Sequence, residues 1–236
     1  MHGAMAGPTP EPVPTTVPRG RHAPPLEVRI DVQRRRLFHA AAAVFARQGY
    51  AEASAEAISR EAGMSKATFY EHFANKEECI LALFDVAATE VMRAMATAPS
   101  DGLGSSYRAH VRAGVRGFLE TLAAYPESAQ TVLVEIIGAG PRAVERRDAI
   151  LNAFAQALYR DNARVAPAHG APTFASPDDA FAVIGGIVEL VSRHLRTGAP
   201  EEMRELEPVI ERLVFGVLTQ GPGGRGPAPQ RPSRRS

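Results

Sequence analysis

The feature that most constrains this fold is the short segment of residues 63–76, in which a glycine, a serine and two phenylalanines follow one another. Gly63 comes after an apolar-periodic stretch and can adopt the left-handed conformation that ends a helix and reverses the chain. Ser65 is a good N-cap for the helix that follows. Phe69 and Phe73 lie four residues apart, so they share one side of that helix and can anchor it to a small core.

The opposite side of this short helix carries polar groups. Recognition helices in the DNA major groove have this arrangement, in which hydroxyl and amino groups contact phosphates and N-terminal residues contact base edges. An isolated helix of this kind is also typical of an ordinary protein surface, so the flanking segments decide between the two interpretations. The outward-facing side chains are Lys66, Thr68, Tyr70, Glu71 and His72.

Helix signals on both sides complete a helix-turn-helix pattern. Upstream, residues 50–62 predict a short helix that Ser54 caps. Downstream, Asn75 can cap a longer helix, with Glu78 in the answering position of a capping box. Lys76 lies beside the free N–H groups of that helix start, and we expect it to face the same phosphates as the preceding helix.

These residues together resemble the DNA-binding domain of the TetR family of bacterial transcription regulators. The resemblance covers residues 34–84 and implies an all-α fold, in which a three-helix helix-turn-helix domain precedes a helical bundle for effector binding and dimerisation. It is carried by Ala43-Val44-Phe45, Gly49-Tyr50, Ile58-Ser59-Arg60-Glu61-Ala62-Gly63, Ser65-Lys66-Ala67-Thr68-Phe69-Tyr70, His72-Phe73 and Asn75-Lys76-Glu77.

The resemblance also implies which residues contact DNA. The chain departs from the family pattern at Ala67, where Gly or Pro is usual, at Ser59, where Ala is preferred, and at Ala57, where an acidic residue is usual. The first departure can alter base preference, and the other two weaken helix packing and capping slightly. The expected DNA-binding residues are Ser54, Ser65, Lys66, Ala67, Thr68, Tyr70, Glu71, His72 and Lys76.

The charge of the chain is nearly balanced overall but uneven along its length. It has 27 Lys and Arg against 26 Asp and Glu, yet residues 1–36 carry six Arg against three acids and residues 220–236 carry four Arg against none. The middle of the chain keeps 17 basic and 23 acidic residues. A nonspecific architectural DNA protein would need a more basic body, so any nucleic-acid contact should be local.

Several other classes of protein are excluded by what the sequence lacks. A single cysteine, Cys79, rules out an internal disulfide and fits a reducing cytoplasm. No apolar run approaches the roughly 20 residues that span a bilayer, and the start has no signal-peptide pattern. The seven histidines form neither His-Glu-x-x-His nor Glu-x-x-His pairs, and no glycine loop would cradle phosphates. We therefore expect a cytoplasmic protein that is not an enzyme and holds no metal or cofactor.

Composition and periodicity divide the chain into four parts. Residues 1–28 are expected to be a disordered leader, because residues 1–25 contain seven prolines and no periodicity. Arginines in this leader either enter the minor groove as an arm or are simply solvated. The helix-turn-helix domain is expected at 29–76, the ligand-binding and dimerisation domain at 77–219, and a disordered basic tail at 220–236.

Helices are predicted throughout the described division of the chain. Two precede the break at Pro126 or follow the turn: the first spans 31–48, with Arg34, Arg35 and Arg36 either near the DNA backbone or solvated, and the fourth spans 75–96. The β-branched run 132–137 could pass for a strand, but no partner strand is visible. Gly185 and Gly186 each cost about 1 kcal/mol in a helix, so another helix should approach closely there. The remaining helices are expected at 106–124, 126–137, 141–165, 176–197 and 207–219.

By resemblance, the last two helices form a homodimer interface and the preceding helices hold a small apolar or amphipathic effector. The alternatives are burial within one protomer and, for the effector residues, a simple core role. The expected interface residues are Gly185, Gly186, Val188, Val191, Leu195, Ile210, Leu213 and Val217. The expected effector contacts are Phe84, Phe118, Leu122, Ile136 and Phe154.

The function implied is that of a sequence-specific transcription regulator. Most family members are repressors that bind a palindromic double-stranded DNA operator as a dimer, and effector binding moves the fourth helix and releases the DNA. An activator, or a constitutive regulator without a small-molecule effector, is the alternative.

Overall fold

The computed structural model describes residues 25–98 and 106–218, and these residues form nine α-helices, three short 3-10 turns and no strand. The all-α fold is confirmed. The 3-10 turns are Glu135–Ala139, Ala166–His169 and Met203–Leu206. The helices are α1 (Leu26–Glu52), α2 (Ala55–Glu61), α3 (Lys66–His72), α4 (Lys76–Thr97), α5 (Tyr107–Ala124), α6 (Pro126–Leu133), α7 (Pro141–Val165), α8 (Pro177–Thr197) and α9 (Glu207–Leu218).

The first helix begins earlier than its periodicity predicts. It starts at Leu26, directly after Pro25, so residues 26–28 are helical although the sequence assigns them to the leader. No helix breaker lies between this start and Gly49, whose φ of 77° interrupts the helix one residue after the predicted end. The rest of the predicted leader and the predicted basic tail lie outside the described residues.

The described residues form two compact units. One comprises residues up to 93 together with 120–147, and the other comprises 94–119 together with the residues from 148 onward. The predicted domain boundary after residue 76 stays a prediction. In the first unit, α1 packs against α2, α6 and the 135–139 turn, and α2 packs against α3. Its fully buried side chains include Leu37, Phe45, Ile58, Phe69, Ile80 and Ile136.

The β-branched run near residue 134 forms no strand. The helix α6 ends at Leu133, and the chain continues as the 3-10 turn Glu135–Ala139. Gly140 then has φ 105°, a conformation open mainly to glycine, and α7 starts at Pro141. The segment therefore runs as helix, turn and helix, which brings its polar side chains next to α1 and α4.

In the second unit, α8 and α9 pack against each other and against the 203–206 turn. The predicted start of α8 is confirmed by a complete capping box, in which Ser176 accepts from Asp179 N–H and the Asp179 carboxylate accepts from Ser176 N–H. Gly198 ends the helix with φ 66°. The glycine pair is explained at Gly186, where a Cβ would lie 2.8 Å from Leu213 Cδ2, whereas a Cβ at Gly185 would meet nothing within 4 Å.

Candidate nucleic-acid interface

Local hydrogen bonds build the two short helices as the sequence predicts. Ser54 Oγ accepts from Ala57 N–H at the start of α2, and Ser65 Oγ accepts from Thr68 N–H at the start of α3, each at 3.1 Å. Between them Gly63 takes a φ of 62°, so the chain reverses there without strain. These groups fix where α3 begins and how it leaves the turn.

The inner side of α3 is anchored by aromatic packing. Phe69 is completely buried, and its ring centroid lies 5.5 Å from that of Phe73. Phe73 in turn lies 5.5 Å from Phe38 of α1. The Arg34 guanidinium covers both Phe38 and Phe73, with its carbon 5.4 and 5.3 Å from the two ring centroids. The helix is therefore held from one side only, and its other side remains available.

The outer side of α3 presents polar groups to solvent. Tyr70 is 51 % exposed, and its ring contacts the edge of Phe69, which limits where the hydroxyl can point. Thr68 is half-buried, and its hydroxyl lies 2.9 Å from that of Ser65. The remaining exposed candidates on α3 and at its start are Ser65, Lys66, Ala67 and Glu71.

His72 lies at the edge of this surface and is half-buried. Its Nε2 is 3.4 Å from Gln33 Oε1 of α1. Burial and the nearby Arg34 cation lower the pKa of His72, and the Glu71 carboxylate opposes them only partly. The imidazole is therefore neutral near neutral pH and offers DNA a hydrogen-bonding group rather than a charge.

Lys76 has a position that the sequence does not predict. Its Nζ donates to the carbonyls of Tyr50, Ala51 and Ala53 at 2.8, 2.9 and 3.0 Å and lies 4.5 Å from the centroid of the Tyr50 ring. An ammonium group has three N–H donors, so this one is fully used within the protein. Lys76 therefore ties the start of α4 to the end of α1, and it is not free to donate to phosphate.

Two further sequence expectations resolve in a similar way. Asn75 accepts from Glu78 N–H at 2.9 Å, as predicted, but the Glu78 carboxylate pairs with Arg142 at 2.7 Å. In the arginine run of α1, Arg36 donates to the carbonyl of Ala62 at 2.7 Å and so caps the end of α2. These long-range partners replace the local or DNA-facing roles expected of the same side chains.

The candidate dimer surface is narrower than the sequence predicts. Val188, Val191 and Ile210 are buried within one protomer, because the faces of α8 and α9 that carry them pack inward. They are therefore core residues and cannot reach a partner. Gly185, Gly186, Leu195, Leu213 and Val217 stay partly exposed.

A groove of about 360 Å³ opens on the outer side of α8 and α9. It exists because Gly186 has no side chain at the point where Leu213 crosses. The exposed Phe181 lies one and a half turns earlier on α8. The sequence analysis misses this apolar surface, since apolar residues occur on several faces of both helices. The groove is lined by Gly186, Glu189, Leu190, Arg193, Val209 and Leu213.

The five expected effector contacts fall into both units. Phe84, Leu122 and Ile136 are buried in the first unit. Phe118 and Phe154 belong to the second unit and are half-buried. The shared effector site stays a prediction.

The Gly63 turn, the phenylalanine-anchored side of α3 and its polar outer side define a helix-turn-helix DNA-binding domain. The family model described as bacterial regulatory proteins, tetR family, matches residues 37–83, which include all of α2 and α3. The resemblance to the TetR family is thus confirmed, and the chain carries the DNA-binding domain of a TetR-type transcription regulator.

Solved structures extend the likeness of fold along the chain. The fatty acid degradation regulator FadR from Bacillus halodurans is 18% identical and has a TM-score of 0.63, over 78% of this chain and 94% of that one. FadR from Bacillus subtilis in complex with stearoyl-CoA is 17% identical with a TM-score of 0.65, over 78% and 98%. A tetR-family regulatory protein from Rhodococcus RHA1 is 18% identical with a TM-score of 0.62, over 79% and 96%. Among curated proteins, no sequence matches this chain.

The helices of the described residues were also compared with the length and hydropathy that a bilayer requires. Among residues 25–98 and 106–218, none is both long and apolar enough to cross a membrane.

Proposed function

We propose that this chain is a homodimeric cytoplasmic repressor that binds a partly palindromic operator and is released from it by a small apolar or amphipathic effector. The observation that carries the proposal is the division of α3 into a buried phenylalanine side and an exposed polar side. An activator with the same DNA contacts is the second candidate, and reporter transcription with and without the protein separates the two.

The DNA contacts follow from the exposed side of α3. Lys66 supplies a positive charge at the start of the helix, where base edges and phosphates are both in reach. Tyr70 supplies an exposed hydroxyl, which suits a phosphate oxygen, and Ala67 offers a methyl group that can contact thymine. Ser54, Ser65, Thr68, Glu71 and His72 flank these groups, whereas Lys76 is reassigned to holding α1 and α4 together.

A symmetric pair of such heads would read two major grooves. The outer groove of α8 and α9 favours a second copy as its occupant, because the groove is apolar and carries Glu189 and Arg193 one helical turn apart. A two-fold axis can set each of these charges opposite its complement on the other copy. The operator half-sites should then be centred about 34–36 Å apart, one helical turn of DNA.

The effector proposal has weaker but concrete support. The structurally similar FadR from Bacillus subtilis was solved in complex with stearoyl-CoA, an amphipathic molecule with a long apolar chain. The chain studied here places large apolar residues at Phe84, Phe118, Leu122, Ile136 and Phe154. A long-chain acyl thioester is therefore the first compound class to test for release of operator DNA, with a constitutive regulator as the outcome if no compound releases it.

Replacing Tyr70 by phenylalanine should weaken binding to all operator sequences alike, by about tenfold, because one hydrogen bond to the DNA backbone is lost. Replacing Lys66 by alanine should weaken binding and also change sequence preference. Fluorescence anisotropy on a panel of operator variants measures both effects. The matched controls are Tyr125→Phe and Arg160→Ala, at exposed positions outside the interface; a Tyr70→Phe protein with unchanged affinity would contradict this docking.

Replacing Leu190 by glutamate should convert the dimer to a monomer at micromolar concentration, because a charge would be buried in the apolar groove. Operator affinity should fall by about 100-fold or more, since the two half-sites are then bound separately. Analytical ultracentrifugation measures the mass, and Val144→Glu, at an exposed position on α7, is the control. A Leu190→Glu protein that still sediments as a dimer would move the interface elsewhere.

A further inference from the structure

The end of α1 is held from two sides by residues that are distant in the sequence. From one side, Lys76 donates to the carbonyls that follow the break at Gly49. From the other side, Glu135 Oε2 accepts from Tyr50 N–H at 3.2 Å. A Cβ on Gly49 would lie 3.5 Å from the same carboxylate oxygen, so Glu135 lies directly against the break.

The segment around Glu135 is fixed to the body of α1 as well as to its end. Thr131 is completely buried, and its hydroxyl donates to the carbonyl of Ala42 at 3.1 Å. Gln130 Nε2 donates to Glu135 Oε1 at 3.3 Å and so orients the carboxylate. A buried hydroxyl that donates to a helix carbonyl leaves little freedom for α6 to slide along α1.

The same segment also reaches α4. Arg142 pairs with Glu77 at 3.1 Å and with Glu78 at 2.7 Å, and Arg146 pairs with Asp85 at 2.6 Å. Exposed ion pairs of this kind are individually weak, but here several act between the same two helices. Residues 130–146 therefore contact both helices that flank α2 and α3 in the sequence.

We infer that residues 130–146, although they lie outside the helix-turn-helix, belong to the DNA-reading unit, and that Glu135 is a positioning residue for operator binding. The inference rests on the proposed DNA-binding function. The chain passes from Tyr50 through four residues into the Ser54 cap and α2, so a shift at the Gly49 break moves the reading helices. A dimer must hold two copies of α3 at one spacing, and a small change of orientation in each is felt at both half-sites.

The sign of the effect separates positioning from charge. Removing a carboxylate from a DNA-binding protein reduces its repulsion from phosphate, so a pure charge effect would strengthen binding. Loss of the hydrogen bond to Tyr50 N–H would weaken it. Glutamine at position 135 removes the charge but keeps an oxygen that can accept from the same N–H, so it should behave like the natural residue.

The experiment compares Glu135→Ala, Glu135→Gln and Glu145→Ala in the full chain. Glu145 is exposed on α7, and its removal changes the net charge equally. We expect operator binding about tenfold weaker for Glu135→Ala, within about twofold of the natural protein for Glu135→Gln, and equal or tighter for Glu145→Ala. Binding to nonspecific DNA should persist in all three. A Glu135→Ala protein that binds its operator as well as Glu145→Ala does would overturn the inference.

A second measurement is independent of DNA binding. Amide hydrogen exchange at Tyr50 in the free protein should be faster in Glu135→Ala than in Glu135→Gln, while exchange in the core of α8 stays unchanged and so shows that the chain is folded. Equal exchange at Tyr50 in the two variants also overturns the inference. If the natural protein selects no operator at all, the proposed function fails, and the exchange result still decides whether Glu135 holds the end of α1.

Discussion

Replacing Phe69 by alanine is expected to destabilise the protein by about 3–5 kcal/mol, the largest effect of any single change in the reading head. Phe69 is completely buried and contacts both Tyr70 and Phe73. Its removal leaves a cavity between α3 and the rest of the domain, so the outer side of α3 loses its support. Operator binding should be lost together with stability, as measured by urea unfolding and by anisotropy.

The adjacent residue provides the control. Tyr70→Ala changes a residue of similar size on the same helix, but Tyr70 is exposed, so the free energy of unfolding should change by no more than about 1 kcal/mol. Operator binding should nevertheless fall. If Phe69→Ala were as stable as Tyr70→Ala, α3 would not depend on its phenylalanine side, and the structural basis of the reading head would be wrong.

Replacing Arg112 by methionine is expected to destabilise the second unit by about 2 kcal/mol. Glu211 of α9 is 6 % exposed and accepts from Arg112 of α5 at 2.6 and 3.0 Å, with Arg108 at 3.5 Å. Without Arg112 the nearly buried carboxylate keeps only the more distant cation. The matched control is Arg47→Met, which breaks an exposed pair with Glu61 and should change stability by less than about 1 kcal/mol.

The same ion pair predicts how stability depends on pH. The hydrogen bond from Arg112 lowers the pKa of the Glu211 carboxyl below its ordinary value of 4.5, against the opposing effect of burial. A carboxyl whose pKa is lower in the folded state stabilises the fold above its unfolded pKa, and that contribution is lost as the pH falls through the folded pKa. Thermal melts of Arg112→Met should therefore lose part of the acid sensitivity that the natural protein shows below about pH 4.5. Equal pH profiles for the two proteins would contradict this assignment.

The local features of the reading head could be predicted because their causes lie within three or four residues. Ser54 and Ser65 cap helices whose first N–H groups are adjacent in the sequence, and Gly63 supplies a left-handed turn that few other residues adopt. Phe69 and Phe73 share a helical face by spacing alone. Confirmation of these elements needed no knowledge of the rest of the chain.

The long-range features could not be predicted from local pattern. Lys76 finds its three carbonyl acceptors 23 to 26 residues earlier, and Glu135 finds Tyr50 85 residues earlier. A lysine at a helix start near a recognition helix has the pattern of a phosphate contact, and only the fold shows that its donors are used elsewhere. On α8 and α9, apolar residues occur on several faces, so the sequence does not show that Val191 and Ile210 face inward.

The central claim is that the outer side of α3 reads DNA twice, once from each protomer of a symmetric dimer. Selection of binding sites from random duplex DNA by the full-length protein tests this claim most directly. The account predicts that the enriched sites are inverted repeats with half-site centres about 34–36 Å apart, and that a Lys66→Ala protein enriches a different half-site. Enrichment of no sequence, or of the same half-site by both proteins, would contradict it.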